Sequence, residues 1–257
     1  MQTSRWTALR ALAAGGALIA SLGVAGGAQA ATDSDRDGLA NSFEINRSHT
    51  NPFRADSNGN GIKDGRENPD HDRLTNLAEQ RAGLNPLSSD TDHDGRPDWA
   101  EDNDHDGSNT LNEIQAHTNP LDADTDNDGL LDGREDTDHD GLNNHQEQLV
   151  STNPGDADSD DDGTTDADED EDADGLGNEF EFDSSHTSPM SSDSDHDGTA
   201  DADEDPDGDG VSNEQEETDG SDPMDTDSDD DGVPDGEDDD STPAPTPSPA
   251  AVVFQIG

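Results

Sequence analysis

The sequence predicts a linear repeat array of mostly irregular loops with very short helices and no sheet core. Three observations predict it. One acidic twelve-residue pattern, D-x-[DN]-x-[DN]-G-x5-E, recurs twelve times after residue 32 in fixed phase, with a period of about 34 residues. Only 24% of residues are hydrophobic against a formal net charge of -57. That balance leaves a chain disordered unless something other than a protein core supplies the folding energy. The period-2 apolar alternation that marks strands is absent.

The chain opens on a leader. Arg5 and Arg10 precede a small-residue apolar stretch over 11–27, and Ala28-Gln29-Ala30 fits a cleavage site. Residues 1–30 therefore read as a secretory signal cut before Ala31. The array is expected over 31–240, with no membrane span in the mature chain.

Ten of the twelve loops fit the pattern strictly, and the oxygen-bearing residues follow in chain order. The 33–44 loop offers Asp33, Asp35, Asp37, Asn41 and Glu44. The 56–67 loop offers Asp56, Asn58, Asn60, Asp64 and Glu67, with its charge lowered by the two asparagines. The 68–79 loop is degenerate: Asn68 replaces the first Asp and Arg73 the Gly, leaving Asp70, Asp72, Asn76 and Glu79. The 90–101 loop brings Asp90, Asp92, Asp94, Asp98 and Glu101, and the 102–113 loop brings Asp102, Asp104, Asp106 and Glu113. Asp124, Asp126, Asp128, Asp132 and Glu135 form the 124–135 set, followed by Asp136, Asp138, Asp140, Asn144 and Glu147 in 136–147. The 158–169 loop carries Asp158, Asp160, Asp162, Asp166 and Glu169. The 170–181 loop carries Asp170, Asp172, Asp174, Asn178 and Glu181. Asp193, Asp195, Asp197, Asp201 and Glu204 belong to 193–204, and Asp205, Asp207, Asp209, Asn213 and Glu216 to 205–216. The last loop, 227–238, holds Asp227, Asp229, Asp231 and Asp235 and ends in Asp238 in place of Glu.

These residue types at this spacing are what a hard divalent cation needs. Carboxylates at positions one, three and five point inward when the chain curls around an ion. The Gly at position six supplies positive φ, position seven offers a carbonyl, position nine ligates directly or through water, and position twelve can give two oxygens. A loop this rich in oxygens favours calcium over magnesium, which demands stricter octahedral geometry and keeps its waters. Two like charges 4 Å apart repel by about 1 kcal/mol even in water, so a loop without metal is expected to open. Folding only with bound calcium is the consequence. The side chains at position seven, Leu39, Ile62, Leu74, Leu130, Leu142, Leu176, Val211 and Val233, are expected to pack inward.

The loops abut in pairs: Glu67 runs into Asn68, Glu101 into Asp102, Glu135 into Asp136, Glu169 into Asp170, and Glu204 into Asp205. Position nine separates two types. First-type loops have Asp there (Asp64, Asp98, Asp132, Asp166, Asp201, Asp235). Second-type loops have Asn41, Asn76, Thr110, Asn144, Asn178 or Asn213. On this reading 33–44 is a lone second-type loop and 227–238 a lone first-type loop. Each second-type loop runs into a short helix, expected over 76–81 and 144–150 for example. An X-Pro pair such as Asn85-Pro86 or Asn153-Pro154 then ends it, because the residue before proline is pushed out of the helical region. Residues 241–257 are a Pro/Ser/Thr-rich linker and a brief apolar tail.

An EF-hand would need a helix on both sides of its loop, and a first-type loop has no room for an exiting helix. The abutting pair, the hydrophobe after Gly and the Asn-Pro spacer resemble something else. The 124–135 stretch, DTDNDGLLDGRE, and the 72–79 stretch, DRLTNLAE, resemble thrombospondin type 3 repeats of the bacterial variety, a likeness that covers about 33–240. The resemblance implies an irregular array wrapped around calcium ions and implies no catalytic activity. The cysteines of the animal repeats are missing here, which leaves metal as the staple.

Other chemistries recede. With no cysteine there is no disulfide or thiolate site. Aromatic residues make up 3% and the charge repels phosphate, which argues against nucleic acid. His71, His93, His105, His139 and His196 sit at loop position four and read as solvent-facing spacers. His49, His117 and His186 lie just before the helix-ending spacer. Trp99 is expected to pack on the Asp90 loop. No nucleophile–base set or carboxylate pair stands out from the acidic background, so no enzyme is expected. The functional expectation is a secreted calcium-binding repeat protein acting as a calcium-stiffened spacer or adhesion module, with a cell-surface or matrix protein as the partner class. The alternatives are an extracellular acidic calcium sink or matrix- or mineral-associated protein, and the stalk of an enzyme whose catalytic domain is absent from this chain.

Overall fold

The computed structural model describes residues 32–237, and it is a chain of loops and single-turn or two-turn helices without a strand among those residues. The leader expected at 1–30, Asp238 and the 241–257 segment lie outside them.

Every loop closes in the same way. The position-nine N–H donates to the carbonyl of the residue before position one, as in Asp64 to Ala55, Asp132 to Ala123 and Asn144 to Glu135, at 2.8–3.0 Å. The first Asp accepts backbone N–H groups from inside the curl: Asp33 takes those of Arg36 and Gly38. Two left-handed residues make the curl possible. One is the expected Gly at position six. The other is position four, which holds positive φ in all twelve loops, from Arg36 (φ 65) to Asp230 (φ 60). The position-four histidines are therefore exposed, as expected, but they also carry a backbone conformation that a side chain disfavours. Arg73 takes the Gly place in the 68–79 loop with φ 85. Its guanidinium lies 4.4 Å from the centroid of the Trp99 ring.

Helices start at position nine of each second-type loop: Asn76–Ala82, Thr110–Ala116, Asn144–Val150 and Asn213–Asp219. Side-chain caps explain three of the four starts, and Ser212, before Asn213–Asp219, makes no such bond. Thr75 Oγ1 accepts from the Ala78 N–H, Asn109 from Asn112, and Asn143 forms a capping box with Gln146. A left-handed residue ends each: Gly83, His117, Ser151 and Gly220. His117, together with His49 and His186, is thus a helix cap rather than a neutral spacer. Helix Asn76–Ala82 is one residue longer than expected. First-type loops carry only a three-residue turn, such as Asp132–Arg134, before the next loop begins.

Two helices differ, and the spacing says why. From a second-type loop to the following first-type loop the offset is 22 residues in four cases. It is 23 between Asp33 and Asp56 and between Asp170 and Asp193. In those two places the helix widens into a π turn, Glu44–Ser48 after Asn41–Phe43 and Glu181–Ser185 after Asn178–Phe180. One inserted residue is absorbed as one wider turn.

The apolar contacts are small and local. Leu39, Leu74, Leu142 and Leu176, the position-seven side chains of second-type loops, are 0–1% exposed. Ile62, Leu130 and Val233, at the same position in first-type loops, are 37–48% exposed. The expectation of inward packing fails for these three because the next loop follows at once and no helix covers them. Trp99 reaches beyond its own loop. It packs with Leu111 and Ile114 against Leu74, Ala78, Ala82 and Leu84, one loop back. A second cluster joins Leu142, Val150 and Ala167 to Phe182.

Candidate metal centres

The two loop types build two kinds of acidic centre. In the first-type 90–101 loop, oxygens of Asp90, Asp92, Asp94 and Glu101 lie within 4.8 Å of one another, all at least partly exposed. The 56–67 loop is satisfied differently: the Asn58 and Asn60 amides both donate to Glu67 Oε1, at 2.6 and 2.7 Å. Its two asparagines replace charge repulsion by hydrogen bonds.

Second-type centres are enclosed. Asp33, Asp35 and Asp37 cluster, as do Asp70, Asp72 and Glu79, and Asp102, Asp104 and Asp106. The twelfth-position glutamates Glu44, Glu79, Glu113, Glu147, Glu181 and Glu216 are all 0% exposed. Both carboxylate oxygens of Glu79, Glu113, Glu147 and Glu216, and one of Glu44 and Glu181, are buried without a hydrogen-bond partner. Burial and then the neighbouring aspartates push the carboxyls of Glu79, Glu113 and Glu147 up to about 9. The same causes raise Glu181 and Glu216 to about 8 and Glu44 to about 7. In first-type loops, burial raises Glu101, Glu135, Glu169 and Glu204 as well. A buried carboxylate is tolerated when it is paired, hydrogen-bonded or on a metal. Converging acid oxygens with no donors among them fit a hard cation, which would be held by positions one, three, five and twelve. The degenerate 68–79 loop keeps this arrangement: Asp70, Asp72 and Glu79 converge and Glu79 is as buried as its counterparts.

Position nine departs from the sequence reading. The first-type aspartates Asp64, Asp98, Asp132, Asp166, Asp201 and Asp235 are 0–6% exposed. Each accepts from its own loop's position two, through backbone N–H and hydroxyl. Thr91 gives Asp98 bonds of 2.7 and 2.8 Å, and Ser57 gives Asp64 bonds of 2.8 and 2.6 Å. The hydroxyl in turn accepts from the residue before proline, as in Asn85 N–H to Thr91 Oγ1 at 2.9 Å. Asp64 then lies with Asp37 and Glu44, in the centre of the second-type loop across the spacer. The second-type Asn76, Asn144, Asn178 and Asn213 donate their amides to the carbonyls of Asp64, Asp132, Asp166 and Asp201. Their Oδ1 atoms are buried without a partner. Asn41 instead bonds the Ser34 backbone and hydroxyl. Thr110 donates to the Glu101 carbonyl.

The position-two hydroxyl was legible and missed. All six first-type loops have it (Ser57, Thr91, Thr125, Ser159, Ser194, Ser228), whereas second-type loops hold Ser34, Pro69, Asn103, Thr137, Glu171 and Pro206. The pairing also resets the repeat boundary. Each second-type loop, its helix, the spacer and the next first-type loop form one unit: 33–67, 68–101, 102–135, 136–169, 170–204 and, as far as the described residues run, 205–237. The loops that look lone in the sequence are the two halves of the end units.

The sequence profile described as Bacterial TSP3 repeat matches residues 33–55, 124–135 and 205–226. Two of those stretches begin at position one of a second-type loop and stop on the residue before a first-type loop. The third is one whole first-type loop. No curated protein matches the chain, and no solved structure matches it. Among the described residues, no helix is long and apolar enough to cross a membrane. The chain carries bacterial thrombospondin type 3 repeats, a calcium-binding module, at three regions of an array whose remaining loops follow the same geometry.

Proposed function

We propose that this is an exported calcium-binding repeat protein whose array works as a calcium-stiffened spacer or surface-adhesion module. The observation that carries the reading is the set of six twelfth-position glutamates, fully buried in acidic clusters with carboxylate oxygens lacking any donor. Such centres resist folding when empty and favour it when filled, because a ligand bound only by the folded state stabilises it. The leader-like 1–30 segment would send the chain to calcium-rich surroundings. The modest, local apolar clusters leave metal as the main cohesion, and no catalytic set emerges from the acidic background.

The test is a calcium titration by calorimetry with small-angle scattering on the same samples. Saturable binding at a fixed number of sites, with marked compaction between chelator and millimolar calcium, is expected. Open-ended binding without a plateau would move the reading to an acidic calcium sink. Equal radii of gyration in the two conditions would remove the stiffening role.

A further inference from the structure

We propose that the position-nine aspartate of each first-type loop is a calcium ligand of the preceding second-type loop, so that every enclosed site is a clasp shut by the far end of its unit. The proposal rests on the calcium reading above and adds an address for six carboxylates.

Three observations carry it. Oxygens of Asp37, Glu44 and Asp64 lie within 4.8 Å, and all three residues are buried. Glu44 Oε2 has no hydrogen-bond partner inside that group. The second-type loop has no carboxylate of its own at position nine, where Asn76, Asn144, Asn178 and Asn213 give their amide N–H to a backbone carbonyl and keep only a neutral Oδ1 without a hydrogen-bond partner. The arrangement recurs along the array: the N–H of the residue after position nine, in Gly133, Ala167, Ala202 and Gly236, donates to the position-five carboxylate of the preceding second-type loop, Asp106, Asp140, Asp174 and Asp209.

The position-two hydroxyl is the positioning residue. Each Asp64 oxygen takes one hydrogen bond from Ser57 and keeps a second lone pair for a cation. In the 102–135 unit a further bond pins the equivalent junction, from the Gly133 N–H to Asp106 Oδ2 at 2.7 Å. A Cβ on Gly133 would sit 2.9 Å from the Asp106 carbonyl oxygen, although Ala167 and Ala202 make the same bond in other units. First-type loops then keep positions one, three, five and twelve for an ion of their own.

The experiment counts ions on the full chain by native mass spectrometry at one fixed free-calcium level. The variants are Glu113→Gln, Asp132→Asn, Glu135→Gln and the doubles Glu113→Gln/Asp132→Asn and Asp132→Asn/Glu135→Gln. The proposal expects each single variant to lose one ion, the first double to lose one and the second double to lose two. The reverse, two from the first double and one from the second, would assign Asp132 to its own loop and overturn it. Asp132→Asn with no loss would also overturn it. If the Asn variant unfolds its unit and sheds several ions, Thr125→Val decides, since it keeps every carboxylate. It should weaken one ion's affinity about tenfold or more, and should have no effect in a Glu113→Gln background. An undiminished effect there would overturn the proposal. A wild-type chain that binds no calcium would instead sink the functional reading.

Discussion

A single side chain decides little in an exposed loop and much in an enclosed one. Asp98 is held by Thr91 through two bonds, while Asn85 donates to the same hydroxyl. Thr91→Val keeps the shape, strips Asp98 of one charge-assisted bond and leaves the Asn85 N–H without its acceptor. The expected cost is about 1–2 kcal/mol in calcium-loaded thermal unfolding, with Thr91→Ser neutral because serine fills this place in four other units. Equal effects of the two would remove the hydroxyl from the account. The buried glutamates set a pH dependence. In the calcium-free fold the carboxyls of Glu79, Glu113 and Glu147 stand near 9 against an ordinary 4.5. The folded state therefore binds those protons more tightly. The stability they confer is fully present below about 4.5 and is lost as pH rises through about 9. Chelated protein should gain helical circular dichroism from pH 9 down to pH 5, with a shallower slope once the three are changed to Gln. A slope unchanged by those substitutions would put the effect in bulk charge. The motif made these carboxylates legible. It could not show which of them lose all contact with water, because burial depends on the helix and the next loop folding back over them.

Short helices of two turns have little stability alone, and here they act as lids on the centres that start them. Glu147 is the fourth residue of Asn144–Val150, so the helix that begins at position nine carries the position-twelve carboxylate into the centre. The X-Pro pairs after each second-type loop mark where these helices stop. The π turns were hidden because one extra residue in 23 looks like ordinary spacer variation until the left-handed caps His49 and His186 are aligned with His117. Two units already tolerate that residue, so the helix is the elastic part and the loop the rigid part. One alanine inserted after the exposed Leu149 should widen that helix into a π turn and leave the ion count intact. One alanine inserted between Asp138 and His139 should abolish an ion, since it puts the left-handed position four and the Gly out of step. Native mass spectrometry of the two insertions separates them, and equal losses would mean that helix and loop share one constraint.

Units touch their neighbours through alternating surfaces. Gln80 accepts from Ala40, Gln148 from Asn109 and Glu217 from Gly177, at 2.7–2.9 Å, each reaching back one unit. Ile114 and Phe182, at the same helix place in the units between, pack into apolar clusters. The sequence showed a period of about 34 residues and concealed this doubled one, since alternation at one helix position is invisible until the facing loop is known. Among the described residues, side-chain hydrogen bonds span at most 42 residues of chain, so each unit leans on adjacent units only, as in other linear arrays. A defect should then stay near its source, and how far it spreads should depend on the loop type hit. Asp126→Ala strikes an exposed first-type loop and should lose one ion, with protease sensitivity near 119–131. Glu113→Gln strikes an enclosed centre that the 102–135 unit folds around. It should lose its ion and release the Thr110–Ala116 helix while the 124–135 loop keeps its own ion, with cuts at 117–123 and weaker protection where His145 meets the Gly107 carbonyl. Limited proteolysis in calcium maps both. Digestion of the whole chain in either variant would make the array one cooperative block, whereas identical narrow maps would mean that the enclosed centres contribute no more to folding than the open ones.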